Sequence, residues 1–313
     1  MYEWHKQVQK IVDGIDRCIV SSDDDGLTLK FIARESGYSE FHMTRKFKEL
    51  SGISLRDYLR KRKLAFALID LRDTDKSILD IAVDYGFSSH EAFCRSFKAT
   101  YGIPPSTYRA KPRPLLLRTK LITFDRYFLG LGEIGMVKST EEIKIYFVSI
   151  PAHKFLHIKN YDSKGYWDFW ERQDKIPGED CDTICGLLDS IKGKLDGEDG
   201  VIGKFSGQIM GHIFESGKVA EAYGSRLPRD YAGEIPLKMQ MIDIAEGEYI
   251  VFEHGSFDYE QESDSVGEKL QSAIDGFDFG STDYVLDESE GRVRYFYHDP
   301  EKWEKRLMPV KRK

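Results

Sequence analysis

The chain has 313 residues, of which 41% are hydrophobic and 32% charged, a balance that excludes a disordered chain and sets a soft expectation of two domains. No apolar run reaches the ~18 residues of a membrane span, and the opening MYEWHKQVQK lacks a secretory layout, so no membrane partner is expected. Four cysteines in a chain this long make no disulfide framework, and a reducing cytoplasm is the expected location. The net charge of −7 speaks against a phosphate partner only as an average. Residues 1–112 hold 19 Lys and Arg against 16 Asp and Glu, and the remaining 201 hold 27 against 37. An acidic chain therefore carries a basic segment, as expected when one domain meets phosphates and the other does not.

A helix is expected from Trp4 to Val20, and an internal repeat follows it. LTLKFIARESGYSEFHMTRKFKELSGIS, from Leu27, matches SILDIAVDYGFSSHEAFCRSFKATYGIP, from Ser77. Ala33 and Gly37 recur 49 positions later as Ala82 and Gly86. One inserted residue then sets the offset at 50, pairing Arg45 with Arg95, Phe47 with Phe97, Lys48 with Lys98 and Tyr58 with Tyr108. Such self-similarity marks one supersecondary unit used twice. In each copy a helix stops at a glycine suited to the left-handed conformation. A serine, Ser39 or Ser89, then caps a second helix whose buried face is Met43, Phe47 and Leu50 or Phe93 and Phe97. This is a helix-turn-helix pattern. Between the copies, Leu55, Tyr58, Leu59, Arg62, Leu64, Ala67, Leu68 and Leu71 fit one long helix. Its ~27 Å would let two reading helices enter successive major grooves, ~34 Å apart.

The run from Leu27 to Tyr108 resembles the DNA-binding domain of the AraC/XylS transcription regulators, and GFSSHEAFCRSFKATYGIPPSTYR follows that family's signature nearly position for position. The resemblance implies double-stranded DNA as a partner. It places Phe41, Thr44 and Arg45 on the base-reading face of the first copy, and His90, Glu91, Ala92 and Arg95 on that of the second. The arginine fork suits guanine O6 and N7, a carboxylate accepts from cytosine N4, and Phe41 or Ala92 suits a thymine methyl. The helix N-termini at Ser39 and Ser89, with Lys46, Lys48 and Lys98, would hold phosphates. Phe41 also fits a different reading, as a core aromatic.

Pro112 and Pro114 mark a linker, and the apolar LLLRTKLITF after them fits a strand or a helix. From Ile143 the pattern changes. IKIYFVSIPAHKFLHIKNY reads as two strands broken at Pro151, with helical GYWDFWERQDKI next; IPLKMQMIDIAEGEYIVFEHGSF and SVGEKLQSAIDGF repeat the order at an offset near 94. The fold class expected is multidomain: an all-α double helix-turn-helix domain over 1–110, a linker over 111–142, and an α+β domain of two βαββ-type repeats over 143–313. The last resembles the GyrI-like effector-binding domain, which implies a small-molecule effector. In that family a buried glutamate near the last strand meets cationic drugs, whereas here VRYFYHD places Arg294 at that point. Glu253 is the alternative acid, and Trp167, Trp170, Tyr284, Tyr295 and Tyr297 are the aromatic candidates for lining a ligand site that suits a flat, apolar or cationic molecule.

Cys181 and Cys185 lie four apart without a second pair or a histidine at ligand spacing, so no metal or cofactor is expected. No catalytic constellation follows from spacing, and the chain is read as a regulator rather than an enzyme, with RNA polymerase as its expected protein partner. The rival readings make the C-terminal domain a hydrolase acting on a small molecule, or a protein-interaction module.

Overall fold

The computed structural model describes residues 2–21, 27–125, 129, 139–198 and 208–313. The chain divides into two units, one of residues 1–130 with 185–192, the other of 131–184 with 193–313.

The first unit is helical. Its elements are α1 (Glu3–Ser21), α2 (Leu29–Ser36), α3 (Glu40–Ser51), α4 (Leu55–Asp73), α5 (Ile78–Asp84), α6 (His90–Tyr101) and α7 (Pro105–Ala110). Side-chain oxygens of Thr28, Ser39, Ser54, Ser77 and Ser89 each accept an amide of the first turn they precede, satisfying donors that a helix start leaves orphaned. The two turns close alike: Tyr38 N donates to Ala33 O across Gly37, and Phe87 N to Ala82 O across Gly86, with φ of 73° and 66° at the glycines. Only a residue lacking Cβ takes that conformation cheaply.

Two cores result, and α4 belongs to both. Leu55 and Tyr58 pack with Val8, Val12, Met43 and Phe47; Leu64, Ala67, Leu68 and Leu71 pack with Ile81, Phe93, Phe97 and Tyr108. The spacer helix is thus a shared beam. The stretch after Pro114, expected as strand or helix, is neither up to residue 125. Side chains tie it down instead: Thr123 N donates to Gln9 Oε1 (2.7 Å), Leu121 N to the Tyr58 hydroxyl (3.3 Å), and Arg62 Nη1 to Arg118 O (2.6 Å). These partners lie far away in sequence, which is why no local period announced the conformation.

The second unit contains β1 (Lys144–Ile150), β2 (His153–Asn160), α8 (Tyr166–Gln173), α10 (Leu195–Glu198), β3 (Ile209–Glu215), β4 (Lys218–Pro228), β5 (Gln240–Ile244), β6 (Gly247–His254), α11 (Tyr259–Asp275), β7 (Tyr284–Leu286), β8 (Val293–Asp299) and β9 (Trp303–Arg312), while α9 (Cys181–Asp189) crosses the division. All pairings are antiparallel, in the order β1-β6-β9-β8-β3-β4-β2-β5, with β7 beside β9. Ile150 faces Gly247 and His153 faces Ile244 in one unbroken register. So β1–β2 and β5–β6 form a single ribbon bent at residues 151–152 and 245–246, and the sheet returns on itself. Alternation then gives it two faces. Tyr249, Val251, Tyr295, Tyr297, Phe155 and Leu307 gather on the inner one. On the outer one Ile250, Phe252 and Met308 pack against Val266 and Leu270 of α11.

Candidate nucleic-acid interface and the interior of the second unit

Helices α3 and α6 repeat each other in exposure as well as in sequence. From Phe41 to Leu50 and from Glu91 to Thr100, every position shares its burial class with the one 50 residues on. Met43 and Phe47, like Phe93 and Phe97, are sealed inward. Phe41 and Glu91, Arg45 and Arg95, and Lys48 and Lys98 point out, with Thr44 and Cys94, and His42 and Ala92, half-buried between them. The reading of Phe41 as a core aromatic fails, because the ring is 76% exposed; the periodicity that buries Phe47 turns Phe41, six residues earlier, to solvent.

Around the second helix start, Ser89 Oγ accepts Ala92 N (3.1 Å), and His90 lies near Glu91 (3.9 Å) and Cys94 Sγ (3.6 Å). Hydrogen bonds from its own amide and from the Ser89 hydroxyl hold the exposed Glu91 carboxyl below the usual range, so it stays an ionised acceptor. At the first start, Ser39 Oγ accepts His42 N (3.3 Å), and the Thr44 hydroxyl is turned back to Glu40 O (2.7 Å). Lys46 pairs with Glu49 (3.0 Å). Arg60 on α4 donates to Ser96 Oγ (3.3 Å) and Thr100 Oγ1 (3.0 Å), fixing α6 from behind.

The six residues expected to line one ligand site do not meet. Tyr295, Tyr297 and Glu253 lie on the inner face of the sheet. Trp170 is buried on the outer side against Tyr223 (4.8 Å), with Trp167 half-buried on the same helix. Tyr284 is stacked on Phe147 (4.7 Å) and donates to Glu248 (3.0 Å). Strand alternation separates them, since neighbouring residues face opposite ways. Burial alone would raise the Glu253 carboxyl, but hydrogen bonds from Tyr146 (2.6 Å) and Lys305 (3.1 Å) hold it below the usual range. An ionised, twice-bonded carboxylate is a poor proton donor. Arg294, where a glutamate stood to be expected, is on the outer side, paired with Glu288 and lying over Phe214 (5.0 Å).

On the inner face Tyr295 and Tyr297 are joined by His153, Asp196 and Arg226, which were not among the expected site residues. His153 Nε2 meets the Tyr295 hydroxyl (2.7 Å), and Tyr297 donates to Asp196 Oδ1 (2.8 Å), as do Nε and Nη2 of Arg226 (3.0 and 2.8 Å). Burial pushes both tyrosine hydroxyls well above their usual range, which keeps them as proton donors. The sole sequence hint was an arginine in the small, apolar strand KVAEAYGSRLP. Among the described residues, no cluster fit to hold a metal occurs and no helix is long and apolar enough to cross a membrane.

A duplicated, capped helix-turn-helix with two equivalent outward faces defines a DNA-binding regulator. The family model for a helix-turn-helix domain matches residues 32–111. The regulatory protein SoxS of Escherichia coli K12 is 37% identical over 101 residues, 32% of this chain and 94% of that protein. The transcriptional activator AarP of Providencia stuartii is 38% identical over 106 residues, 34% and 78% of the two chains. The right origin-binding protein of E. coli K12 is 39% identical over 162 residues, 49% of this chain and 54% of that protein. This chain belongs to the AraC family of transcription regulators.

Proposed function

We propose that the protein is a ligand-responsive transcription regulator that reads double-stranded DNA with α3 and α6 and senses a small molecule through its second unit. The observation that carries the DNA reading is the matched exposure of α3 and α6. It turns Phe41, Arg45 and Lys48, and their counterparts Glu91, Arg95 and Lys98, outward with the same spacing. Arg45 and Arg95 contact guanine edges, Phe41 and Ala92 thymine methyls, Glu91 cytosine N4, with Thr44 and His90 completing the two faces. Ser39, Ser89, Lys48 and Lys98 position the helices on phosphates. RNA polymerase is the partner through which such binding alters transcription.

For the second unit, the bent ribbon, the two helix-bearing halves and the buried aromatic inner face support the GyrI-like sensing reading. Sensing requires that ligand favour one of two states differing in DNA or polymerase contact. The test is a gel shift with DNA from upstream of the protein's own coding region. Arg45→Ala and Arg95→Ala should each lose ~1–3 kcal/mol at particular base pairs. A uniform loss over all sequences assigns these arginines to phosphates, and absence of specific, salt-sensitive binding overturns the reading.

A further inference from the structure

The two helix-turn-helix copies differ along one flank of the reading helix. On α3 this flank is His42, Lys46 and Leu50, and on α6 it is Ala92, Ser96 and Thr100, all half-buried beside the outward face. Residues four apart lie on one line down a helix. In the first copy the line is met by rings from α1. Trp4 lies 4.9 Å from His42 and 4.6 Å from Tyr38, with Lys46 Nζ 6.0 Å over it. In the second copy it is met by hydrogen bonds from α4. Arg60 Nη1 donates to both Ser96 Oγ (3.3 Å) and Thr100 Oγ1 (3.0 Å).

The arginine is held in turn. Its Nη2 donates to Asp57 Oδ1 (2.5 Å), one turn earlier on α4, and Lys61 pairs with the other oxygen of Asp57 (3.2 Å). Burial raises the Asp57 carboxyl, but the bonds from Arg60 and Lys61 hold it below the usual range, so the acceptor stays ionised. A planar guanidinium anchored at one nitrogen presents its remaining donors in a fixed direction.

Apolar packing fixes the depth of α6 more firmly than its rotation. Phe93 and Phe97 pack with Leu64, Leu68 and Ile81, and such attraction is non-directional. Hydrogen bonds weaken steeply off their angle, so two of them a turn apart resist both roll and slide of the helix. Roll matters because Glu91 and Arg95, on the exposed face, adjoin Ala92 and Ser96 in the chain. A rotated α6 would carry both away from the distances that base readout demands. Leu55 and Tyr58, on the same end of α4 as Arg60, belong to the core that carries α3. The bonds therefore tie the second reading helix to the frame of the first.

We propose that Arg60 is a positioning residue for the second half-site: held by Asp57, it fixes the roll of α6 through Ser96 and Thr100 and so sets how sharply Glu91 and Arg95 discriminate bases, without touching DNA. The inference rests on the DNA reading above and adds to it a residue outside both reading helices.

The full chain is assayed by gel shift on its own upstream site with each base pair substituted singly. Arg45→Ala and Arg95→Ala mark the base pairs that each copy reads. Arg60→Met removes the donors and keeps an apolar stem, and Ser96→Ala/Thr100→Val removes the acceptors with Arg60 in place. Either should cut base discrimination at the second half-site about fivefold and leave the first within about twofold. Combining them should add nothing further, since both break one contact. The acceptor variant decides the matter alone if Arg60→Met does not fold. A uniform loss over all sequences with a shallower salt dependence, in Arg60→Met only, puts Arg60 on a phosphate and overturns the proposal. Equal loss at both half-sites overturns it as a general loosening, and undiminished discrimination at the second overturns it because apolar packing then suffices. Absence of specific binding by the parent chain overturns the DNA reading itself, and the proposal falls with it.

Discussion

Asp16→Ala should destabilise the first unit by ~3 kcal/mol, because it strands the guanidinium of Arg62. Arg62 Nε donates to Asp16 Oδ1 (3.0 Å) and Nη2 to Oδ2 (2.6 Å), a fork-on-fork pair linking α4 to α1. Its third contact is Arg118 O (2.6 Å), and its plane lies 4.8 Å over Phe66. With side chains only 10% and 16% exposed, the pair is closer to a buried one, worth 3–5 kcal/mol when one member is removed, than to a surface pair worth under ~1. The surviving bond to Arg118 O and the residual exposure set the loss at the lower end. The double variant Asp16→Leu/Arg62→Met removes both charges and should lose only ~1 kcal/mol, since the desolvation cost vanishes with the charges. Hydrogen exchange at the α1 and α4 amides of the full chain measures this without assuming that both units unfold together. A loss under ~1 kcal/mol for Asp16→Ala, or a double variant as unstable as the single one, would refute the reasoning.

The remaining predictions use the same logic. Phe41→Ala should leave stability within ~0.5 kcal/mol while weakening DNA binding, whereas Phe47→Ala, at 0% exposure, should cost ~3–5 kcal/mol, both read by thermal unfolding. Burial lowers the pKa of His157 to about 4, against 6.5 for the free group. The unfolded chain therefore binds the extra proton first as pH falls, and stability drops between pH 6.5 and 4 by ~3 kcal/mol from this group. His157→Phe should flatten that limb of the acid-unfolding curve followed by tryptophan emission, and an unchanged slope would show that the ring titrates freely. Gly224→Ala would place a Cβ 2.0 Å from Leu156 O and 2.8 Å from His157 Cα, both backbone atoms of the neighbouring strand. It should cost ~3 kcal/mol or more, and a soluble chain of normal melting temperature would contradict the close approach of β2 and β4.

The legible and the illegible parts of this protein differ in the range of the interactions behind them. The two helix-turn-helix copies could be read because their signals are local: a serine oxygen three residues from the amide it caps, a glycine where the chain turns left-handed, apolar side chains every three or four positions. The repeat doubled each signal. Local pattern also placed β1, β2, α8, β5, β6 and α11 of the second unit, with the break at Pro151, but gave no reading for β4 or β9. It failed for the stretch after Pro114, whose conformation is held by Gln9, Tyr58 and Arg62.

By itself, then, the sequence determined a basic, duplicated DNA-reading unit and an acidic second one, because helix periodicity, capping and charge are properties of neighbouring residues. The tertiary structure alone decided which aromatics share a face. It divided Tyr295, Tyr297 and Glu253 from Trp167, Trp170 and Tyr284, and it brought Asp196 to Arg226 across 30 residues. Those outcomes depend on how a bent ribbon closes a sheet and on which strand meets which, and no short window of residues encodes that pairing.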